Sequence, residues 1–266
     1  MREKVERISP FKQFISVIFA LFLRELKTRF GGRRFGVFWT FAEPSVHLVI
    51  LLLVFSFLRA RMIPQVPFEL FLIAGIVPFF LFRHIATGLI SSINANKALF
   101  AYTPVKPIDT YITRTILETI IYTVIFAVIL FILGFWGGFD VGISNPFGAV
   151  VIYFLIILFG FSFGIIASIV SDIFPSIKIV INMILLPLYF LSAIMYPLWI
   201  IPAQYAKYLM FNPILHLLEL FKANFFSYYP LVEGINLSYP LIFELMLLFI
   251  ALASYRIRRL VLAAKS

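Results

Sequence analysis

Six stretches of this 266-residue chain are predominantly apolar over twenty residues or more, near 37–58, 68–90, 110–133, 148–170, 177–198 and 240–259. A helix rises about 1.5 Å per residue, so each stretch is long enough to cross the roughly 30 Å of hydrocarbon in a bilayer. Backbone N–H and C=O groups in lipid have to be satisfied within their own segment, and that makes each stretch a helix. The expected fold is all-α and polytopic, with six transmembrane helices in one transmembrane domain over residues 1–266. No loop is long enough to house a second domain.

Composition agrees and narrows the function. With 62% hydrophobic and 13% charged residues, the chain is too apolar for a soluble enzyme or a nucleic-acid-binding domain. The net charge of +10 sits largely at the two ends, beside apolar runs, where the anionic inner leaflet is the simplest partner. The absence of cysteine excludes disulfides and thiolate chemistry. The three histidines, His47, His84 and His216, are too scattered to suggest a metal site. The first twenty residues lack an apolar core with a small-residue cleavage site behind it, so no secretory signal is expected. With the N-terminus inside, fifteen Lys and Arg fall in cytoplasmic segments. Only Arg59, Arg61, Lys207 and Lys222 fall outside. The positive-inside rule then places both termini in the cytoplasm.

The segments between spans carry the polar chemistry. Residues 11–30 repeat apolar side chains at helical spacing before a basic end, and this predicts a helix lying at the inner interface. It is either a simple anchor or a surface against which a cytoplasmic partner leans. Gly31-Gly32-Arg33-Arg34 breaks it without the spacing of a phosphate-binding loop. In the first span, Glu43 precedes Pro44, with His47 one turn on. A carboxylate there needs a basic partner or a cavity. Arg83-His84 in the second span either snorkels to the inner headgroups or lines a conduit for an anionic substrate. Arg114 and Glu118, four residues apart on one helix face, pair with each other or meet partners in the bundle. Residues 91–109 make the most polar inner loop, with a short helix over 91–99 and an extended Pro104–Pro107 stretch that suits docking or mere connection. Gly160-x-x-x-Gly164 lets another helix approach closely. Before the last span, residues 201–210 form one short helix, and a second starts at Asn212-Pro213 with cap and proline in order. Its stripe of Ile214, Leu217, Leu218 and Phe221 is expected to pack, with Glu219 and Lys222 on the opposite side. This pair of helices either gates a pathway or lies flat on lipid.

No nucleotide-binding motif, no acid pair in a polar cleft and no inverted repeat is apparent. No intramembrane acid series suggests a proton relay, for which Glu43, Glu118 and Glu244 are the candidates. The chain is therefore expected to be a conduit or scaffold without catalytic residues, its energy supplied elsewhere.

Particular stretches carry a resemblance. LFLRELKTRFG at 21–31, FGVFWTFAEPSVHLVILL at 35–52 and FLIAGIVPFFLF at 71–82 are followed by ALFAYTPVKPIDTYITRTILET at 98–119. PLYFLSAIMYPL at 187–198 and FNPILHLLEL at 211–220 complete the series. In this order the chain resembles the membrane permeases of bacterial ABC polysaccharide exporters, above all the group 2 capsular type. The resemblance implies a homodimer in the inner membrane, with two separate ATP-binding cassette subunits that hold ATP and magnesium. It implies coupling to those subunits through residues 94–107, including Asn94, Lys97, Tyr102, Pro104, Lys106 and Pro107. Arg24, Glu25, Arg29 and Arg33 of the interface helix would cradle the same partner. The segment 203–224, with His216 and Glu219, would act as an outer gate. The cargo would be a lipid-linked anionic polysaccharide, handed to periplasmic and outer-membrane capsule export proteins. Aromatic faces suit such a path because flat rings pack on sugar C–H surfaces. Tyr189, Tyr196, Trp199 and Tyr205 are the candidates, beside the polar Glu43, His47, Arg83, Arg114 and Glu118. Arg83-His84 and Thr113 depart from the family pattern. The rival readings are a permease for lipid-linked O-antigen or teichoic acid, a small-lipid or drug exporter, and a membrane scaffold.

Overall fold

A computed structural model describes residues 9–30, 36–57, 66–101 and 104–264. Arg33 and Tyr102 lie outside these residues, as do Gly31, Gly32, Arg34, Arg59 and Arg61. The described secondary structure is wholly helical: α1 (Pro10–Phe30), α2 (Gly36–Phe57), α3 (Phe68–Asn96), α4 (Pro107–Phe135), α5 (Pro146–Ile173), α6 (Ile177–Phe190), α7 (Ala203–Leu209), α8 (Pro213–Phe225) and α9 (Ser238–Ala264). Four helices, drawn from α3, α4, α5 and α9, are long and apolar enough to cross a membrane, while the apolar stretches Ala42–Val54 of α2 and Ile177–Phe190 of α6 are shorter.

The core is organised around α3. From Leu70 to Phe82 every residue is buried, and burial continues on half of the positions to Asn96. A helix apolar and buried all round belongs inside a bundle. α5 can lie against it because of the two glycines in its middle. A Cβ at Gly160 would meet the Ile85 side chain at 3.1 Å and the Phe82 carbonyl at 3.2 Å. One at Gly164 would meet Leu89 at 3.0 Å and the Ala86 Cα at 3.2 Å. The close approach expected from Gly-x-x-x-Gly is therefore made with α3. α9 covers the other side of α5. There Ser162 donates to the buried Glu244 carboxylate at 2.7 Å, and Arg258 pairs with Asp172 at 3.1 Å.

Three expectations need correction. The second span does not stop near 90 with a separate short helix behind it. α3 continues unbroken to Asn96, whose side chain donates to the Ser92 carbonyl at 2.8 Å, and a 3-10 turn then runs over Lys97–Ala101. No proline or glycine between Ile90 and Asn96 interrupts it. The fifth span is not helical over 177–198. α6 ends at Phe190, one turn after Pro187, and the chain then turns back through Ala193 at φ 53°. Gly75 of α3 makes room for that turn, since a Cβ there would meet the Ile194 backbone oxygen at 3.2 Å. Finally, α8 does not lie flat on lipid with one polar side. Ten of its thirteen residues are buried, Glu219 and Lys222 among them.

The start of α8 follows its sequence signal: Asn212 Oδ1 accepts from the Ile214 N–H at 3.1 Å, and Pro213 takes the first helical position. Its far end is tied to the start of α5. The Ser144 and Asn145 N–H groups donate to the Phe225 and Asn224 carbonyls at 3.0 and 2.8 Å.

Replacing Gly160 or Gly164 by Leu forces α3 and α5 apart. The expected loss is about 1–3 kcal/mol of stability, read as a lowered melting temperature of the detergent-solubilised protein.

Candidate transport site

The residues singled out in the sequence gather into three polar clusters. The first fastens α1 to the rest of the molecule. On α1, Glu25 and Arg29 are four residues apart, and on α4 so are Arg114 and Glu118, with the signs reversed. The charges therefore do not pair along their own helix. Arg114 pairs with Glu25, and Arg29 with Glu118. Arg24 adds hydrogen bonds to Asn96 Oδ1 and to the Ala95 carbonyl, the latter at 3.1 Å, and the Asn96 amide donates to Glu25 at 3.0 Å. Arg24, Glu25 and Arg29, three of the side chains expected to cradle a cytoplasmic partner, are thus turned toward α3 and α4. Glu25, Arg29, Arg114 and Glu118, together with His84 and Ser91, line a polar cavity of about 370 Å³.

The inner hairpin stands beside this bracket. Asn94, Pro104 and Lys106 are exposed and Lys97 half-buried. Pro107 opens α4, and Asp109 accepts from the Lys106 N–H at 2.8 Å, which closes the helix start. A largely apolar groove of about 490 Å³ runs between α1 and the hairpin, lined by Val17, Leu21, Leu99, Pro104 and Val105 among others.

The second cluster lies between α2, α3 and α6. Glu43 meets the Arg83 guanidinium at 3.7 Å and His84 Nε2 at 3.2 Å. The basic partner that the sequence asked for is thus present. One turn further along α2, His47 Nε2 shares a hydrogen bond of 2.7 Å with the Tyr189 hydroxyl. Tyr189 stacks edge-on against Phe79 and Phe190 at 5.3 and 5.5 Å between ring centroids. Glu43, His47, Arg83, Tyr189, Phe79 and Phe190, with Phe80 and Asn182, line a cavity of about 280 Å³. Of the sequence candidates, Glu43, His47, Arg83 and Tyr189 come together here. Asn182 was missed, because a lone amide in an apolar run carries no pattern.

The third cluster is buried around α8. The Lys222 ammonium donates to the Ala193 carbonyl at 2.6 Å and to Glu219 at 3.0 Å, and it sits 4.2 Å over the Phe71 ring. The Tyr229 hydroxyl donates to the same carboxylate, within 3.1 Å of either oxygen, and Trp199 packs edge-on against Tyr229 at 5.2 Å. Burial pushes the Lys222 ammonium below its ordinary value, and the Glu219 carboxylate pulls it back. Burial also pushes the Tyr229 hydroxyl up, and the same carboxylate adds to that. His216 is fixed as the Nε2–H tautomer. Nε2 faces the Met210 carbonyl at 2.9 Å, while Nδ1 accepts from the Asn236 N–H at 3.3 Å. Lys222 and Tyr229 escaped sequence reasoning, since a charge on an amphipathic stripe suggests a solvated face. Tyr196 and Tyr205 join no cluster: Tyr196 donates to the Phe190 carbonyl at 2.8 Å, and Tyr205 is exposed on α7. Among the described residues no three His, Asp or Glu side chains gather as a metal site.

Two charge tests follow from this geometry. Glu25→Arg or Arg114→Glu alone is expected to cost about 1–3 kcal/mol, and the double exchange to recover most of it in a thermal-unfolding cycle. Lys222→Met leaves Glu219 buried without its cation and is expected to cost about 3–5 kcal/mol, with Lys222→Met/Glu219→Leu recovering a large part in the same measurement.

The chain is similar to known membrane transport proteins across these clusters. The family model for the ABC-2 type transporter matches residues 16–226, from the interface helix through α8. The polysialic acid transport protein KpsM of Escherichia coli is 43% identical over 239 residues, 90% of this chain and 92% of that protein. The capsule polysaccharide export inner-membrane protein BexB of Haemophilus influenzae is 28% identical over 226 residues, covering 82% and 84%. The O-antigen export system permease protein RfbA of Myxococcus xanthus is 25% identical over 225 residues, covering 81% and 82%. A wholly helical bundle with four long apolar helices and a match over most of its length, the chain belongs to the ABC-2 type transporter family of multi-pass inner-membrane permeases.

Proposed function

We propose that this chain is the permease subunit of an ATP-driven exporter of capsular polysaccharide and forms the conduit through the inner membrane. The observation that carries this reading is the 43% identity over nine-tenths of the chain with a polysialic acid transport protein. The geometry supports it in three respects. The shorter apolar helices Ala42–Val54 of α2 and Ile177–Phe190 of α6 are the candidates for two further crossings beside the four long ones. The inner hairpin exposes Lys106 and Pro104 beside an apolar groove that suits a docked ATPase. The cavity around His47, Arg83 and Tyr189 sets aromatic faces beside hydrogen-bonding groups, which is what a sugar chain requires of its path.

In this reading two copies of the chain face each other, two ATP-binding cassette subunits bind the hairpins from the cytoplasm, and both termini lie inside. Closure of the ATPases on nucleotide moves the hairpin and the α1–α4 bracket together, because ion pairs join α1 to α4 and Arg24 of α1 hydrogen-bonds Asn96 and the Ala95 carbonyl at the foot of the hairpin. α7 and α8 close the outer end, held by the buried Lys222–Glu219 pair. Periplasmic and outer-membrane export proteins then receive the polymer. This chain performs no covalent chemistry, and ATP and magnesium belong to the partner. The similarity to an O-antigen export permease favours one alternative, a lipid-linked O-antigen cargo.

The double variant Lys106→Ala/Pro107→Ala is expected to remain in the membrane. It should copurify with the ATPase at no more than about one-tenth of the wild-type level, equivalent to roughly 1.4 kcal/mol of docking energy, and surface glycan should fall in parallel. Normal copurification and normal surface glycan would overturn the docking assignment. Mass spectrometry of glycan bound to the complex separates capsular polymer from O-antigen.

A further inference from the structure

The cavity between α2, α3 and α6 contains more charge than packing requires. Arg83 is the sixteenth of the twenty-nine residues of α3, so roughly 20 Å of helix rise separates it from Asn96. An ionised side chain at that depth is retained when it faces a partner or a polar path. Its partner is a loose one. The Arg83–Glu43 distance is 3.7 Å, and the two side chains are 43% and 42% exposed, the geometry of a weak ion pair. Glu43 also has His84 at 3.2 Å, so it keeps a hydrogen-bonding partner when Arg83 turns away. Arg83 itself offers a planar fork of five donors, and Phe80 supports it with its ring centroid 5.8 Å from Cζ. Tyr189 and Asn182 flank the same space, and its volume of about 280 Å³ is at the small end of ligand sites, room for one ring at a time.

We propose that this cavity is a carboxylate-reading subsite for a single acidic sugar residue, in which Arg83 exchanges Glu43 for the carboxylate of the passing sugar. Arg83 is thereby the specificity-determining residue for an anionic polymer, an assignment that rests on the polysaccharide-export reading above. A bidentate guanidinium–carboxylate pair is the strongest contact the cavity can offer such a ligand. Glu43 is the internal stand-in that reclaims the guanidinium between sugars. A conduit needs that competition, since binding has to be strong enough to admit each residue and weak enough to release it. The depth of Arg83 favours a carboxylate on the polymer over the phosphate of a lipid headgroup, which resides at the interface.

The test uses the complete permease–ATPase complex in nanodiscs of phosphatidylethanolamine and phosphatidylglycerol. The probes are oligosialic acid and the same oligomer with its carboxyl groups reduced to alcohols. The wild type is expected to bind the acidic oligomer about tenfold more tightly than the reduced one, as a charge-assisted pair allows. Arg83→Gln should bind both equally, at the wild-type affinity for the reduced oligomer. Arg83→Lys should keep part of the preference, and Glu43→Gln should increase it. A preference that survives in Arg83→Gln overturns the assignment. So does equal loss of both oligomers in Arg83→Gln with no change in Glu43→Gln, and so does competition by glycerol phosphate as strong as by the acidic oligomer. If the wild-type complex binds neither oligomer, the export reading falls, and this assignment with it.

Discussion

The close contact between α3 and α5 supports everything else in the molecule. In lipid the hydrophobic effect does not press one apolar helix against another, so helices associate through packing and hydrogen bonds. Gly160 and Gly164 allow Phe82, Ile85, Ala86 and Leu89 to approach the α5 backbone at van der Waals distance. With that contact made, α3 is enclosed, α4 and α9 flank the pair, and α8 fits in at one end. Each polar cluster then hangs on a residue of α3 or on the turn packed against it: Asn96 in the α1 bracket, Arg83 in the cavity, and Phe71 beneath the Lys222 ammonium.

The three clusters differ in how far they are buried. Beside the inner hairpin, crossed ion pairs join α1 to α4. Between α2, α3 and α6, a partly exposed charge pair lines a cavity. At the other end, a fully buried pair with a tyrosine and a carbonyl as added partners holds α8 in place. Burying a charged pair is unfavourable unless its remaining hydrogen-bonding capacity is met. Glu219 and Lys222 satisfy that condition through Tyr229 and Ala193. The same chemistry, an acid beside a base, thus appears as a partly buried bracket, a loose exposed pair and a fully buried pair.

Much of the fold was legible in the sequence because it rests on local signals. Apolar length marked the long helices, Asn212-Pro213 marked the start of α8, and Gly160-x-x-x-Gly164 marked a close contact. The candidate site was legible only as a set of residues. Glu43 called for a base or a cavity and Arg83 for headgroups or a conduit, yet nothing in a linear pattern says that the two meet across α2 and α3. Arg114 and Glu118 had an equally good partner in each other. They separated because α1 presents the opposite charges at the same spacing. Lys222 was misjudged because helical periodicity separates apolar from polar faces only when one face meets solvent or lipid headgroups, and α8 has no such face.

The sequence by itself determined that this chain crosses a membrane as a helical bundle and that its basic ends favour one side. These follow from composition, segment length and charge placement, which are properties of the chain before it folds. Tertiary structure alone decided which charges pair, where α6 gives way to a turn at Ala193, and which side of α8 is inside. The reason is that such contacts join residues far apart in sequence, and their geometry exists only once α3 and α5 have packed and fixed the space that the other elements fill.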